Sequence, residues 1–299
     1  VYVHDILTYS DNTRLNRDNA DLRLSGFHQS AKSRFEYSGT YKENSQNDAS
    51  NNLAGDLAQR NITSIRLNNE WNMTAKSSVA IGYQLQDIKY DNSVLYDRQH
   101  TTIPLNYYWG ITPKLDMSVG YRNRNTSFEG GAMGSRPDLD DQFFNVGVRG
   151  VIGSKTTGEI RIGTQKRDFN TPGVKDENLL SADARITWAA TEKSDFTLVV
   201  SRDFNADAFG TSIESTDVQV GGTTAISEYF NGFASIRLSS DDYNGGRSDD
   251  GLFGQIGVSY TPNAYSAFSL AYILYNNDSS YLPADFDNNV FNISGTLRY

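Results

Sequence analysis

The sequence predicts an all-β fold, a transmembrane up-and-down antiparallel barrel of about 16 strands with short turns on one side and longer loops on the other. Three observations predict it. Apolar and polar residues alternate over segment after segment, short Ser/Thr/Lys turns recur at a regular interval, and no apolar run approaches the ~20 residues that a membrane-crossing helix needs. The last segment shows the alternation most plainly: Phe291, Ile293, Gly295, Leu297 and Tyr299 fall on one face of an extended strand, and Asn292, Ser294, Thr296 and Arg298 on the other. One face suits lipid and the other suits water.

Taken in order, the chain opens on a strand from Val1 to Tyr9 that has no clean apolar face, because His4 and Asp5 interrupt it. Hairpins follow, joined by short turns at Ser30-Ala31-Lys32-Ser33, Thr74-Ala75-Lys76-Ser77 and Thr112-Pro113-Lys114. The series continues at Gly153-Ser154-Lys155-Thr156, Thr191-Glu192-Lys193-Ser194, Ser227-Glu228-Tyr229 and Thr261-Pro262-Asn263-Ala264. A spacing of roughly forty residues fits two membrane strands plus one outer loop. Longer polar loops, rich in Asn, Asp, Gly and Ser, are expected near 10–20, 44–57, 91–95, 127–138, 170–177, 205–212, 243–250 and 277–285. The segments number about 16, within a range of about 14 to 18, and an even count places both ends on the periplasmic side. Repetition also suits a propeller or β-helix, but no blade or coil motif is present. The uniform pattern points to a single domain over 1–299. With no signal peptide and a strand-like segment already at Val1, the chain reads as a mature or trimmed form.

Composition agrees. A mean hydropathy of -0.55 excludes a bundle of apolar helices but not a barrel, in which only every second residue meets lipid. Eighteen Tyr, fifteen Phe and three Trp exceed what so polar a chain needs for a soluble core and suit interfacial anchoring. The absence of cysteine fits an envelope protein that folds without disulfides. A net charge of -9 argues against a nucleic-acid partner, since phosphate contacts require clustered Lys and Arg.

Trp71, Trp109 and Trp188 each fall about three residues before a short turn and in phase with the apolar face. With Phe35, Phe196, Phe268 and Tyr299 they form a candidate aromatic girdle; Tyr41, Tyr90, Tyr121 and Tyr275 near the loop ends would supply its other half. The alternative is that aromatics simply favour strands.

The opposite phase gives the candidate lumen and substrate path. Its charged members are Arg34, Glu36, Arg66, Glu70, Asp116, Arg122 and Arg124, and further along the chain Arg149, Glu159, Arg161, Asp183, Arg185, Arg237 and Arg298. At about 16 strands a barrel is wide enough for an aqueous channel in which such groups stay hydrated. The chain's acidity is then expected mostly in loops such as Asp138 to Asp141, Asp241-Asp242, Asp249-Asp250 and Asp285 to Asp287. Two readings of the wall stand side by side: cross-strand ion pairs that satisfy one another, or a ladder of weak contacts over which a hydrated anionic or sugar-rich solute slides. The Asp-rich loops lack EF-hand spacing and read as solvated rather than metal-binding. No loop is long enough for a dedicated plug, so gating is expected from loops 44–57 and 127–138 or from another protein. The only histidines, His4, His28 and His100, form no catalytic or metal spacing; the expectation is a non-enzyme without cofactor or metal.

Four motifs carry a family resemblance: Tyr9-Ser10-Asp11-Asn12, the strand start Tyr96-Asp97-Arg98, Thr-x-Lys turns leading into alternating strands as in Lys114-Leu115-Asp116-Met117, and the terminal Tyr299. With these the chain resembles the β-barrel porins encoded within exopolysaccharide gene clusters of Gram-negative bacteria, over most of its length. The resemblance implies a place in the bacterial outer membrane and passage of a secreted polysaccharide, a role in biofilm or capsule-type polymer export. It implies outer-membrane lipid and a periplasmic export protein as candidate partners, and a C-terminal aromatic read by the insertion machinery. The expected conduit is polar and unplugged. The alternatives are a general or substrate-selective diffusion porin, favoured if an inward-folded loop narrows the pore, and a structural or receptor barrel whose lumen a partner occupies.

Overall fold

The computed structural model describes residues 1–8, 16–46, 58–132, 134–171 and 173–297. Sixteen strands follow one another in a single sheet, each beside its chain neighbours. They are β1 (Tyr2–Leu7), β2 (Arg17–Gln29), β3 (Ser33–Gln46), β4 (Ala58–Thr74), β5 (Ser77–Tyr90), β6 (Tyr96–Thr112), β7 (Leu115–Gly130) and β8 (Leu139–Gly153). The second half comprises β9 (Thr156–Phe169), β10 (Glu177–Ala189), β11 (Ser194–Ala206), β12 (Ser212–Ala225), β13 (Phe230–Tyr243), β14 (Ser248–Asn263), β15 (Ser266–Ser279) and β16 (Phe286–Leu297). One 3₁₀ turn at Leu282–Ala284 is the only helical element among the described residues, and no helix is long and apolar enough to cross a membrane. The strand number falls where the alternation places it, and so does each short turn except the last, where β14 runs on through Thr261, Pro262 and Asn263 and the reversal comes at Ala264-Tyr265.

Those turns are closed locally. The Thr hydroxyl accepts from the amide of the Lys two residues on, at Thr74 and Lys76 (3.1 Å), Thr112 and Lys114 (3.2 Å), and Thr191 and Lys193 (3.1 Å). This side-chain turn competes with continued extension and forces the reversal. The turn carbonyls in turn accept from the neighbouring hairpin: Lys32 from Asn72, Lys76 from Gly110, Lys155 from Ala189 and Lys193 from Ala225, all at 2.7–2.9 Å. A turn with no side-chain partner still continues the ladder sideways.

Strands beyond β1 run from 12 residues in β16 to 17 in β4 and β6, more than the ~9–11 that span a hydrocarbon layer. They therefore reach further into the loops than the alternation suggests, because backbone pairing continues past the point where the apolar face ends. Acids assigned to loops consequently lie in strands: Asp140 and Asp141 in β8, Asp241 and Asp242 in β13, Asp249 and Asp250 in β14, Asp287 in β16. Arg298, Tyr299, the motif at residues 9–12 and most of loop 44–57 lie outside the described residues.

The burial pattern is inverted relative to a water-soluble protein. Ile81, Trp109, Val119, Phe144 and Ile256 are 53–61% exposed, whereas Arg167, Gln165 and Asp141 are 1% exposed. Two compact units divide the chain: residues 1–146, 163–180 and 204–212 in the first, residues 147–162, 181–203 and 213–299 in the second. In the first, the tight approach of β9 to β8 requires Gly163. A Cβ there would overlap the Phe144 carbonyl oxygen and come within 2.7 Å of Asn145 Cα, whereas one on Gly39 meets nothing within 4 Å. Gly163→Ala is expected to cost about 1–3 kcal/mol in a urea unfolding midpoint and Gly39→Ala close to nothing.

A candidate solute site on the polar face

In the first unit the strand register lines up two rows of polar side chains across β3 to β7. Ser38 lies opposite Arg66, Arg66 opposite Gln84, Gln84 opposite Thr102 and Thr102 opposite Arg124. One step along the strands, Thr40, Ser64, Gln86, His100 and Thr126 form the second row in the same manner. Directly opposed residues share a face, so this is a consequence of the alternation in five consecutive strands being in phase. Both rows line a cavity of about 470 Å³, completed by Arg167 of β9 and by Asn205 and Ala206 at the end of β11. Three arginines face it, and no carboxylate is among its described lining residues.

The upper wall is built by a segment that folds inward. Arg98, Arg124 and Arg167 each donate to a backbone carbonyl in the last three residues of β11: Arg98 to Ala206, Arg124 to Phe204 (2.6 Å) and Arg167 to Asn205 (2.6 Å). The Ala208 carbonyl accepts from the Tyr96 amide at 2.9 Å, and Ala208 packs with Ile88, Tyr90 and Leu95 in a small apolar cluster. Arg167 also stacks over the Phe204 ring at 4.7 Å. The arginines are held in turn by Asp141, which accepts from Arg124 Nε and Nη2 (2.9 and 2.6 Å) and from Arg167 Nε and Nη2 (2.6 and 2.8 Å). Within the turn, Asp207 accepts from the Phe209 and Thr211 amides (2.9 and 2.7 Å). Burial pushes its carboxyl above the usual range, against the pull of those two amides and of Arg98.

This arrangement corrects three expectations. The polar face of the first unit is not bare: residues 204–212 lie against it, the described part of loop 127–138 packs beside them with Arg136 over the Tyr96 ring, and residues 47–57 of the other expected gating loop lie outside the described residues. Asp141, expected in a solvated loop, is instead buried in β8 and paired, because it and the guanidinium groups of Arg124 and Arg167 satisfy one another. Tyr90 is on the polar side, 8% exposed, with its hydroxyl accepting from Arg98 at 2.9 Å, and so is not part of an outer aromatic band.

The other sequence-derived residues fall into local pairs. In the first unit Arg34 donates to Glu36 (2.6 Å) and lies over Phe27, Glu70 accepts from Ser78 (2.6 Å), Arg122 stacks on Phe143 at 4.8 Å, and Asp116 sits beside Gly110. In the second unit Arg161 pairs with Glu159 and Arg237 with Asp217 (2.6 Å). Arg149, Asp183 and Arg185 belong to that unit as well, in β8 and β10. Of the predicted path residues, Arg66 and Arg124 are thus brought to one cavity. Trp71, Trp109 and Trp188 are 50–56% exposed and Phe35, Phe196 and Phe268 37–48%; Trp188 stacks on Phe196 at 5.6 Å. His100 and Arg167 line this cavity and Arg98 lies beside it, none of them on the predicted path, although Arg167 lies two positions beyond Gln165 in the same phase.

A family described as "Putative beta-barrel porin 2" matches residues 4–299 of the chain. No curated protein matches it. Among solved structures, two variants of the FrpB iron transporter from Neisseria meningitidis superpose on 95% of the chain with TM-scores of 0.55 and 0.56 at 10% and 9% identity. The alcaligin outer-membrane receptor FauA from Bordetella pertussis covers 94% of it at 10% identity, with a TM-score of 0.48. The chain spans 57–58% of the length of these three structures. At such identity the FrpB likeness concerns the fold alone.

Proposed function

The chain belongs to the porin family that matches it, a family of bacterial outer-membrane β-barrels, and from that premise we propose that it is a passive channel through which an exopolysaccharide leaves the cell. The observation that carries this reading is the pair of polar rows across β3 to β7. Ser38, Thr40, Gln84 and Thr102 spend none of their side-chain hydrogen bonds on described protein groups, so they remain available to a solute rich in hydroxyls. Neutral hydrogen bonds of this kind contribute about 1 kcal/mol each, weak enough for a sliding chain to release one while gaining the next. The resemblance of the Tyr96-Asp97-Arg98 and Thr-x-Lys motifs to those of porins from exopolysaccharide gene clusters supports the same polymer class. No covalent step is involved.

A second reading, a diffusion porin selective for small hydrated solutes, is favoured by one feature: residues 204–212 narrow the polar face. Reconstitution into planar bilayers separates the two. Step conductance interrupted by long polysaccharide is the expected result. Conductance indifferent to polymer, with sugar monomers passing freely into proteoliposomes, moves the assignment to the second reading, and absence of conductance removes both.

A further inference from the structure

Resting on the reading of the chain as a polysaccharide channel, we infer that its cavity selects an acidic polymer, with Arg66 as the group that takes the sugar carboxylate. The argument is one of charge left unspent. Every other charged side chain described around this cavity is engaged by the protein: Arg124 and Arg167 hold Asp141 and the carbonyls of Phe204 and Asn205. Arg66 is exposed at the centre of β4, and among the described residues it has no ion pair and no hydrogen bond. It lies between Ser38 on β3 and Gln84 on β5 in the register, with a hydroxyl on one side and an amide on the other.

A guanidinium presents a planar fork of N–H donors that matches a carboxylate in two parallel hydrogen bonds, a geometry that neither a water nor a neutral hydroxyl reproduces. Among the described lining residues there is no carboxylate to compete for it, in a chain whose net charge is -9. Asp141 offsets one of the two guanidinium charges of Arg124 and Arg167, and Arg66 adds an unoffset one, so the charge described around the cavity is net positive and attracts anions. Ser38, Gln84 and Thr102 then stand where the hydroxyls of the same sugar and its neighbour would fall, at the ~4.8 Å spacing of adjacent strands. The class of ligand that fits is a uronate-bearing polysaccharide.

The test uses the full chain in planar bilayers, with oligogalacturonate and malto-oligosaccharide of equal length as blockers. The acidic oligomer is expected to block at a lower concentration than the neutral one, with the difference shrinking as salt rises. Arg66→Gln is expected to raise the blocking concentration of the acidic oligomer on the order of tenfold while leaving that of the neutral oligomer in place, and Arg66→Lys to restore part of it. Because Arg66 is exposed and, among the described residues, unpaired, neither change threatens folding. Equal block by the two oligomers, or a loss in Arg66→Gln that is the same for both, overturns the acidic assignment while the polysaccharide channel stands. Failure of both to block an open channel overturns the polysaccharide reading, and the selectivity with it.

Discussion

Asp141→Ala is expected to lower stability by about 3–5 kcal/mol and to release the inward-folded segment 204–212, raising single-channel conductance. The magnitude follows from what the carboxylate faces. It is 1% exposed and accepts four hydrogen bonds, two from Arg124 and two from Arg167, the latter itself 1% exposed. Removing one member of a buried ion cluster leaves its partner charges without compensation, which costs far more than the net worth of the pair. The functional consequence follows because the same two guanidinium groups hold the Phe204 and Asn205 carbonyls. Without Asp141 they are free to turn toward solvent, and the segment loses two of its anchors. Asp141→Asn keeps an acceptor and is expected to fall between. The partner change Arg167→Met, made on top of Asp141→Ala, removes the buried charge as well and should recover part of the lost stability. A urea unfolding series and bilayer recordings on the same variants check this; an unchanged midpoint in Asp141→Ala would remove the cluster from any structural role.

Much of this architecture is legible in the sequence because both of its codes are local. A period of two sets the faces, and Thr-x-Lys or Ser-containing tetrads set the reversals, so each hairpin can be read from its own residues. What is not local cannot be read in that way. The hydrogen bond from Arg98 to the Ala206 carbonyl joins positions 108 residues apart, and nothing in the polar stretch 205–212 distinguishes a loop that folds inward from one that stands in solvent. The position of Asp141 is hidden for a related reason. An Asp-Leu-Asp-Asp run looks like a solvated loop, yet Asp141 is in phase with Asn145 on the polar face of β8, and continued pairing of the strand carries it inside. The side on which Tyr90 lies is not legible either, because an aromatic near a loop end is equally consistent with an outer band and with an inner apolar cluster; its packing with Ile88, Leu95 and Ala208 decides between them.

The proposition that adjacent residues meet different solvents is tested most directly at one pair of positions in the middle of β14. Ile256 is 61% exposed and lies opposite Ala234 and Tyr272, while Gln255 lies opposite Ser235 and Ile273 on the other face. An arginine on the lipid side of a barrel near the bilayer midplane costs about 2–4 kcal/mol, because the guanidinium must be dehydrated or the bilayer locally thinned to reach it. On the polar side the same side chain keeps its water. Ile256→Arg is therefore expected to lose about 2–4 kcal/mol in reversible urea unfolding from lipid vesicles, and Gln255→Arg less than about 1 kcal/mol. The two variants introduce the same side chain and the same charge one position apart. Ile256→Ser and Gln255→Ser, made alongside, account for the side chain each position loses, and the remaining difference reports the solvent on each face. Equal costs would mean that the exposed apolar surface of the second unit is not lipid-facing, and the membrane placement of β13 to β15 would have to be given up.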